Sequence, residues 1–189
     1  MPYIRGAMKT LSLLRLRPVL LLALLSILLG FGCQEGFSSS ASSKSSASAK
    51  SATAAATKFR LKTLEEGKSL GPPDFPGKVV VVDFWATWCG PCQIQARILD
   101  AMAKSYAGNK RVQFLAANVG ETSETVKSFV KNKPFPYPVL LDPDGVSDDL
   151  GVFALPTLLI IDVHGKVAFF EPGIADADMI KKILAQAGA

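Results

Sequence analysis

The sequence predicts an α/β layer fold with a central mixed β-sheet flanked by helices, and three observations carry that expectation. Val79-Val80-Val81-Val82-Asp83-Phe84 is a near-continuous apolar run, the pattern of a strand buried on both faces. Strand-like and helix-like stretches then alternate as far as Leu141. The chain closes on a hairpin and one more helix, which makes the sheet mixed rather than purely parallel. Each element has its own local reason. After Cys92, the residues Ile98, Leu99, Met102 and Tyr106 recur at helical spacing and mark an amphipathic helix that ends near Gly108. Val112 to Val119 reads as the next strand. Thr122 is an N-cap for a helix whose apolar stripe is Val126, Phe129 and Val130. Tyr137 to Leu141 reads as a short strand. Thr157 to Ile161 and Lys166 to Phe170 flank Asp162-Val163-His164-Gly165, a hairpin turn with its glycine. Asp176 caps a final helix with Ile180, Ile183, Leu184 and Ala187 on one face. There are no internal repeats.

The N-terminal third is organised differently. Of the 189 residues, 21 are basic and 16 acidic, a net charge of +5. Four of the basic residues, Arg5, Lys9, Arg15 and Arg17, lie within the first 32 positions, which hold no acidic residue. Removing those four leaves 17 basic against 16 acidic, so the basic character belongs to the N-terminus and a nucleic-acid partner loses its support. Arg15 and Arg17 precede the apolar run Val19 to Leu29, followed by Gly30-Phe31-Gly32-Cys33. A basic flank, an apolar core of about 7–15 residues and small residues at its end make an export signal. Residues 1–33 are therefore expected to be a signal peptide or membrane anchor, with everything after Cys33 exported. Residues 34–57 hold nine serines and seven alanines without apolar periodicity, the composition of a flexible linker. At 24 residues its r.m.s. span is roughly 27 Å. The folded domain is expected over residues 58–189.

Chemistry concentrates in Trp88-Cys89-Gly90-Pro91-Cys92, where the apolar strand ends and the first long helix begins. A thiolate is the nucleophile of thiol chemistry, and an ordinary cysteine with a pKa of about 8.5 is mostly protonated at neutral pH. The unsatisfied N–H groups and partial positive charge of a helix N-terminus favour the anion. Two intervening residues let Cys92 reach back to Cys89, and Pro91 suits a first turn in which a missing N–H does no harm. Cys89, before the helix, is expected to be the exposed attacking nucleophile; Cys92, one turn in, is expected to be the buried resolving thiol. Structural zinc is the usual competitor for a CxxC pair, but it needs four ligands, and only Cys33 and His164 remain. His164 sits on the hairpin turn and is expected to be surface decoration. Gly67-Lys68-Ser69-Leu70-Gly71 fits the G-x-S-x-G pattern of a serine hydrolase, yet Pro72-Pro73 follows it where a helix is required.

The stretch Val82-Asp83-Phe84-Trp85-Ala86-Thr87-Trp88-Cys89-Gly90-Pro91-Cys92 resembles the active-site segment of the thioredoxin superfamily. Asn118-Val119-Gly120-Glu121, Pro138-Val139-Leu140-Leu141-Asp142 and Leu155-Pro156-Thr157 follow in the order of its exported TlpA/ResA branch, and the likeness covers about residues 58–187. The resemblance implies a thioredoxin fold with an N-terminal β-hairpin extension and a central helical insertion. It also implies a redox-active Cys89–Cys92 disulfide and a cis peptide bond at Leu155-Pro156 that shapes the substrate groove. X-Pro bonds are the ones for which cis is cheap, and Pro156 opens a strand where no N–H is missed; an ordinary trans proline is the alternative. Asp83 matches the buried carboxylate of thioredoxins, where desolvation raises the pKa and allows proton relay with Cys92. An ion-paired or purely structural Asp83 stays open. The TlpA/ResA branch commonly has Asn at that position and an acidic residue where this chain has Gln95. Trp88 is expected to pack beside Cys89 and limit solvent access, and Trp85 to lie in the core. Cys33 follows a small residue at the end of the signal, as in the lipobox of bacterial lipoproteins, although Gly30 stands where that motif usually has Leu. Lipidation at Cys33, an uncleaved anchor and a soluble exported form all stay open.

The reading is an exported, periplasmic or extracytoplasmic, membrane-tethered thiol–disulfide oxidoreductase that needs no cofactor and no metal. Its expected partners are client protein disulfides, apocytochrome c among them, and a transmembrane thiol electron donor. A disulfide oxidase or isomerase on the same fold is the nearest rival. A peroxidase would need a Thr upstream of its reactive cysteine. A Sco-like copper module would need cysteines with three residues between them and a nearby histidine, and a non-catalytic module would not need the cysteines.

Overall fold

The computed structural model describes residues 54–65 and 67–189, so Cys33, the apolar run and most of the serine/alanine stretch lie outside the described residues. The chain runs β1 (Leu61–Thr63), β2 (Ser69–Leu70), a 3-10 turn at Pro72–Asp74, β3 (Val79–Trp85) and α1 (Gly90–Ser105). It continues through β4 (Val112–Val119), α2 (Ser123–Asn132), β5 (Val139–Asp142), α3 (Val146–Leu150), β6 (Thr157–Ile161), β7 (Val167–Pro172) and α4 (Ala177–Ala187). The seven strands form one sheet in the order β2-β1-β5-β4-β3-β6-β7. β3, β4 and β5 are parallel, while β6 and β7 join antiparallel on one side and the β1–β2 hairpin on the other. This is the thioredoxin-type mixed sheet, with the N-terminal hairpin and the inserted helix α2 that the resemblance implied. None of the helices among the described residues is long and apolar enough to cross a membrane.

β3 is buried at all seven positions, as its unbroken apolar run requires. Its side chains alternate between two cores. Val79, Val81 and Trp85 pack with Leu99 and Met102 of α1, Val126 of α2 and Ile180 and Leu184 of α4. Val80, Val82 and Phe84 point the other way, against Phe59, Leu115, Leu150 and Leu159. Residues 54–56 are helical and Ala56 is fully buried in that second core, so the fold takes in the last residues of the serine/alanine stretch.

The capping residues behave as their chemistry dictates. Thr122 Oγ1 accepts from Thr125 N–H at 3.3 Å and Asp176 Oδ1 from Met179 N–H at 2.8 Å, which fixes the starts of α2 and α4. The five-residue helix α3 was not anticipated. It is too short to show a period, and its N-terminal N–H groups are held by a carboxylate from the preceding strand: Asp142 accepts from Val146 N–H at 2.8 Å and Ser147 N–H at 2.7 Å. The G-x-S-x-G stretch contains β2 and ends against the 3-10 turn, with Ser69 exposed on a sheet edge.

Gly71 shows how closely the N-terminal segment is laid on. Its φ of −170° is ordinary extended backbone, but a Cβ there would fall on the carbonyl oxygen of Phe59. Asp74 fastens the same corner, accepting from Gly71 N–H at 2.9 Å and pairing with Arg60. Gly71→Ala must push that backbone apart and is expected to lower stability by about 1–3 kcal/mol, read from the urea midpoint. An unchanged midpoint would show that the corner yields freely.

Candidate active site

Where β3 leaves the sheet at Trp85, residues 86–89 turn the chain into α1. Cys89 is the N-cap of that helix, in extended conformation, and its Sγ accepts from Cys92 N–H at 3.2 Å. The sulfur thus occupies the place that a serine or aspartate oxygen usually fills at a helix start. Gly90 and Pro91 form the first helical positions, and Cys89 and Cys92 are joined in a disulfide with Cα atoms 5.3 Å apart. A helix start of this kind offers its free N–H groups and partial positive charge to a sulfur anion.

Three separate segments hold this corner. Glu121, just past β4, accepts from Thr87 N–H at 2.6 Å, from Thr87 Oγ1 at 2.5 Å and from Asn118 Nδ2 at 2.7 Å. One carboxylate therefore ties the loop before Cys89 to the end of β4. Gln95, fully buried in α1, accepts from Ala175 N–H at 2.7 Å and anchors the loop before α4. That loop also donates Gly173 N–H to Pro156 O at 2.7 Å. The Leu155-Pro156 peptide is cis. Thr157 pairs with Phe84 across the sheet, which places Pro156 at the end of β3 from which the chain departs toward Cys89.

Asp83 lies on the same face of β3 as Trp85, fully buried, and neither carboxylate oxygen has a hydrogen-bond partner. Burial holds its carboxyl well above the usual carboxylate range, and the negative charge of Asp100 pushes it the same way. Asp100, on α1, is also raised by burial, an effect opposed by the Tyr137 hydroxyl and by Lys104. The buried Tyr137 hydroxyl lies beside the Asp100 carboxyl, and its acidity is suppressed by burial first and by the negative charges of Asp83 and Asp100 second. Among the described residues no three His, Cys, Asp or Glu side chains converge as a metal site would require.

Cys89, Cys92, Asp83 and Pro156 thus gather at one end of the sheet. Trp88 sits in the turn with 73% of its surface exposed, while Trp85 fills the core against Phe129 and Phe135 as expected. One expectation is corrected. Cys89 is not exposed in the disulfide form, at 4% against 1% for Cys92, because its sulfur turns inward to accept the Cys92 N–H and is bonded to Cys92. His164 is exposed on its turn, its N–H donating to Asp162 Oδ1 at 2.9 Å. Glu121 and the bond made by Gln95 escaped the sequence reading, since their partners lie 34 and 80 positions away. The Asn-Val-Gly-Glu segment was visible, but only the fold shows that its carboxylate meets Thr87.

The raised carboxyl of Asp83 has a sign that can be checked. The fold prefers the protonated form, so stability is expected to fall as pH rises from about 4, the ordinary carboxylate range, toward the raised folded value, and to level off above it. Asp83→Asn removes that slope: urea unfolding across pH 4–9 should show the variant gaining on the parent chain as pH rises. Parallel curves would contradict a raised, uncompensated carboxyl.

Comparison with known proteins agrees with this geometry. Residues 52–170 match the AhpC/TSA family model. The thiol–disulfide oxidoreductase ResA of Bacillus cereus is 34% identical over 150 residues, spanning 79% of this chain and 82% of the relative. Among solved structures, a thiol:disulfide interchange protein DsbE of Chlorobium tepidum superposes with a TM-score of 0.61 at 30% identity, covering 68% of this chain and 92% of that one. The exposed lipoprotein thioredoxin of Streptococcus pneumoniae superposes with a TM-score of 0.57 at 32% identity, covering 68% and 98%. A cysteine pair capping the helix beside a cis-proline and this family match lead to one conclusion: the chain belongs to the AhpC/TSA family of the thioredoxin superfamily and is a ResA-like thiol–disulfide oxidoreductase.

Proposed function

We propose that this oxidoreductase works outside the cytoplasm, tethered to a membrane by its N-terminal segment, as a reductant of client protein disulfides. The observation that carries the reading is Cys89 at the N-cap of α1, its sulfur already accepting the Cys92 N–H. In the reduced protein the Cys89 thiolate attacks one sulfur of a client disulfide, and the client's other sulfur leaves as a thiolate. Cys92 then attacks Cys89: the Cys89–Cys92 bond forms, the bond to the client breaks, and the client departs with both cysteines reduced. Asp83 takes the proton that Cys92 gives up as it becomes a nucleophile. The Pro156 corner offers the edge against which the client strand lies.

The basic flank, the apolar run Val19 to Leu29 and Cys33 support export and tethering, with lipidation at Cys33 as the route. The exposed lipoprotein thioredoxin among the structural relatives fits the same arrangement. Clients whose cysteines must be held reduced in an oxidising compartment fit this chemistry, and apocytochrome c is the candidate. The electron supply must then cross the membrane, from a transmembrane thiol donor.

Trapping tests the division of labour. In Cys92→Ser the resolving thiol is gone, so mixed disulfides through Cys89 should accumulate and be visible on non-reducing gels of membrane extracts. Cys89→Ser should trap none. Trapping through Cys92 instead would overturn the assigned roles.

A further inference from the structure

A buried proton acceptor must be able to lose what it gains. Asp83 has no exposed surface and no hydrogen-bond partner, so it cannot pass its proton to solvent directly. The described surroundings offer an outlet. α1 lies over this face of the sheet and carries Asp100, whose Oδ1 is buried and unpartnered. The same Asp100 borders an open cleft of about 250 Å³ together with Gln93, Arg97, Phe129, Lys133 and Phe135. From the far side comes Tyr137. Asp83 stands opposite Ala116 and Ala116 opposite Val139, so Tyr137, two residues before Val139, belongs to the same face. Its ring lies 5.6 Å from Phe135, which lies 4.9 Å from Trp85, and its buried hydroxyl has no partner. Asp83, the Tyr137 hydroxyl and Asp100 Oδ1 thus all lack partners on the same side of the sheet, with Asp100 at the cleft, in an interior where buried polar groups are nearly always bonded.

We propose that Asp100, with the Tyr137 hydroxyl beside it, is the port through which Asp83 exchanges its proton with water in the cleft between α1 and the segment after α2. The inference rests on Asp83 being the acceptor for Cys92. When Cys92 attacks the mixed disulfide, its S–H proton passes to the Asp83 carboxylate. The Tyr137 hydroxyl takes that proton while giving its own to the Asp100 carboxylate, and Asp100 releases it to cleft water, so each group returns to its starting state. Reversal delivers a proton when Cys92 is reformed as a thiol. The charged and titratable groups around this route are Cys92, Asp100, Arg97 and Lys104 on α1, Tyr137 before β5 and Lys133 after α2. Lys133 also donates to Gln93 at 2.7 Å, which keeps its cation at the cleft edge. Asp100 touches neither sulfur nor client; it acts through Asp83 as a positioning residue.

The test is single-turnover reduction of insulin disulfides by the prereduced full-length protein in detergent, followed from pH 5 to 9. Asp83→Asn sets the frame and is expected to lose the limb of the profile that depends on the acceptor. Asp100→Asn removes a like charge from the neighbourhood of Asp83, so its midpoint should move to lower pH by about one unit. Its limiting rate should fall roughly tenfold, and Asp100→Glu should restore both. An Asp100→Asn profile that coincides with the parent, beside a slow Asp83→Asn, overturns the port while leaving Asp83 in place. A slower but unshifted profile that Asp100→Glu does not rescue marks Asp100 as structural and also overturns it. If Asp83→Asn itself matches the parent, the acceptor assignment fails and the port falls with it. Should Asp100→Asn fold poorly, Tyr137→Phe keeps the ring and removes only the hydroxyl: slowed exchange supports the port, and the parental rate overturns it.

Discussion

β3 has no exposed side chain on either face, and that burial governs the site. A strand covered on both sides must be central, with parallel β4 and antiparallel β6 as its neighbours. The chain can then leave it only at its end, where a four-residue turn starts α1 directly above the sheet. Cys89 falls on the N-cap because β3 ends at Trp85 and Pro91 favours a first helical turn. The thiol chemistry thus inherits its position from the packing of valines.

The corner is costly to build, and the bonds around it show how it is held. The turn has little regular backbone pairing, so side chains from elsewhere satisfy it: Glu121 on Thr87, Gln95 on Ala175, and the carbonyl of Pro156 on Gly173. Glu121 and Gln95 are separated by only 26 positions, yet they fasten different segments, Glu121 the turn before Cys89 and Gln95 the loop before α4. Beneath them sits a carboxyl that no cation compensates, an arrangement that weakens the fold at neutral pH and is characteristic of functional sites. Trp88 and Phe153 remain largely exposed, at 73% and 85%, one beside Cys89 in sequence and the other three residues before Pro156. Such apolar side chains in water are what a polypeptide client would cover.

The legible parts of the sequence were those written locally. The valine run, the stripe Leu99 and Met102, and the caps Thr122 and Asp176 each encode their element within a few residues, and the structure places each as read. The site was legible through WCGPC for the same reason. The β1–β2 hairpin and the cis bond came only through family resemblance, because two- and three-residue strands carry no period. Helix α3 was missed since its cap is Asp142, three residues upstream of its own N-cap glycine. Trp85 lies in the core as read, whereas the 73% exposure of Trp88 follows from the path of the turn, which no local pattern encodes. Asp100 and Tyr137 were silent, one on a helix flank and one at a strand entrance, until the fold brought them beside Asp83.

The central claim is that this helix-capping pair is built to give electrons to client disulfides. Equilibrating the Cys89–Cys92 pair with defined thiol buffers measures that directly. The account predicts a reduction potential near or below about −250 mV, close to thioredoxin at about −270 mV. A value near about −120 mV, in the range of strong disulfide donors, would contradict it and make the protein an oxidant of its clients.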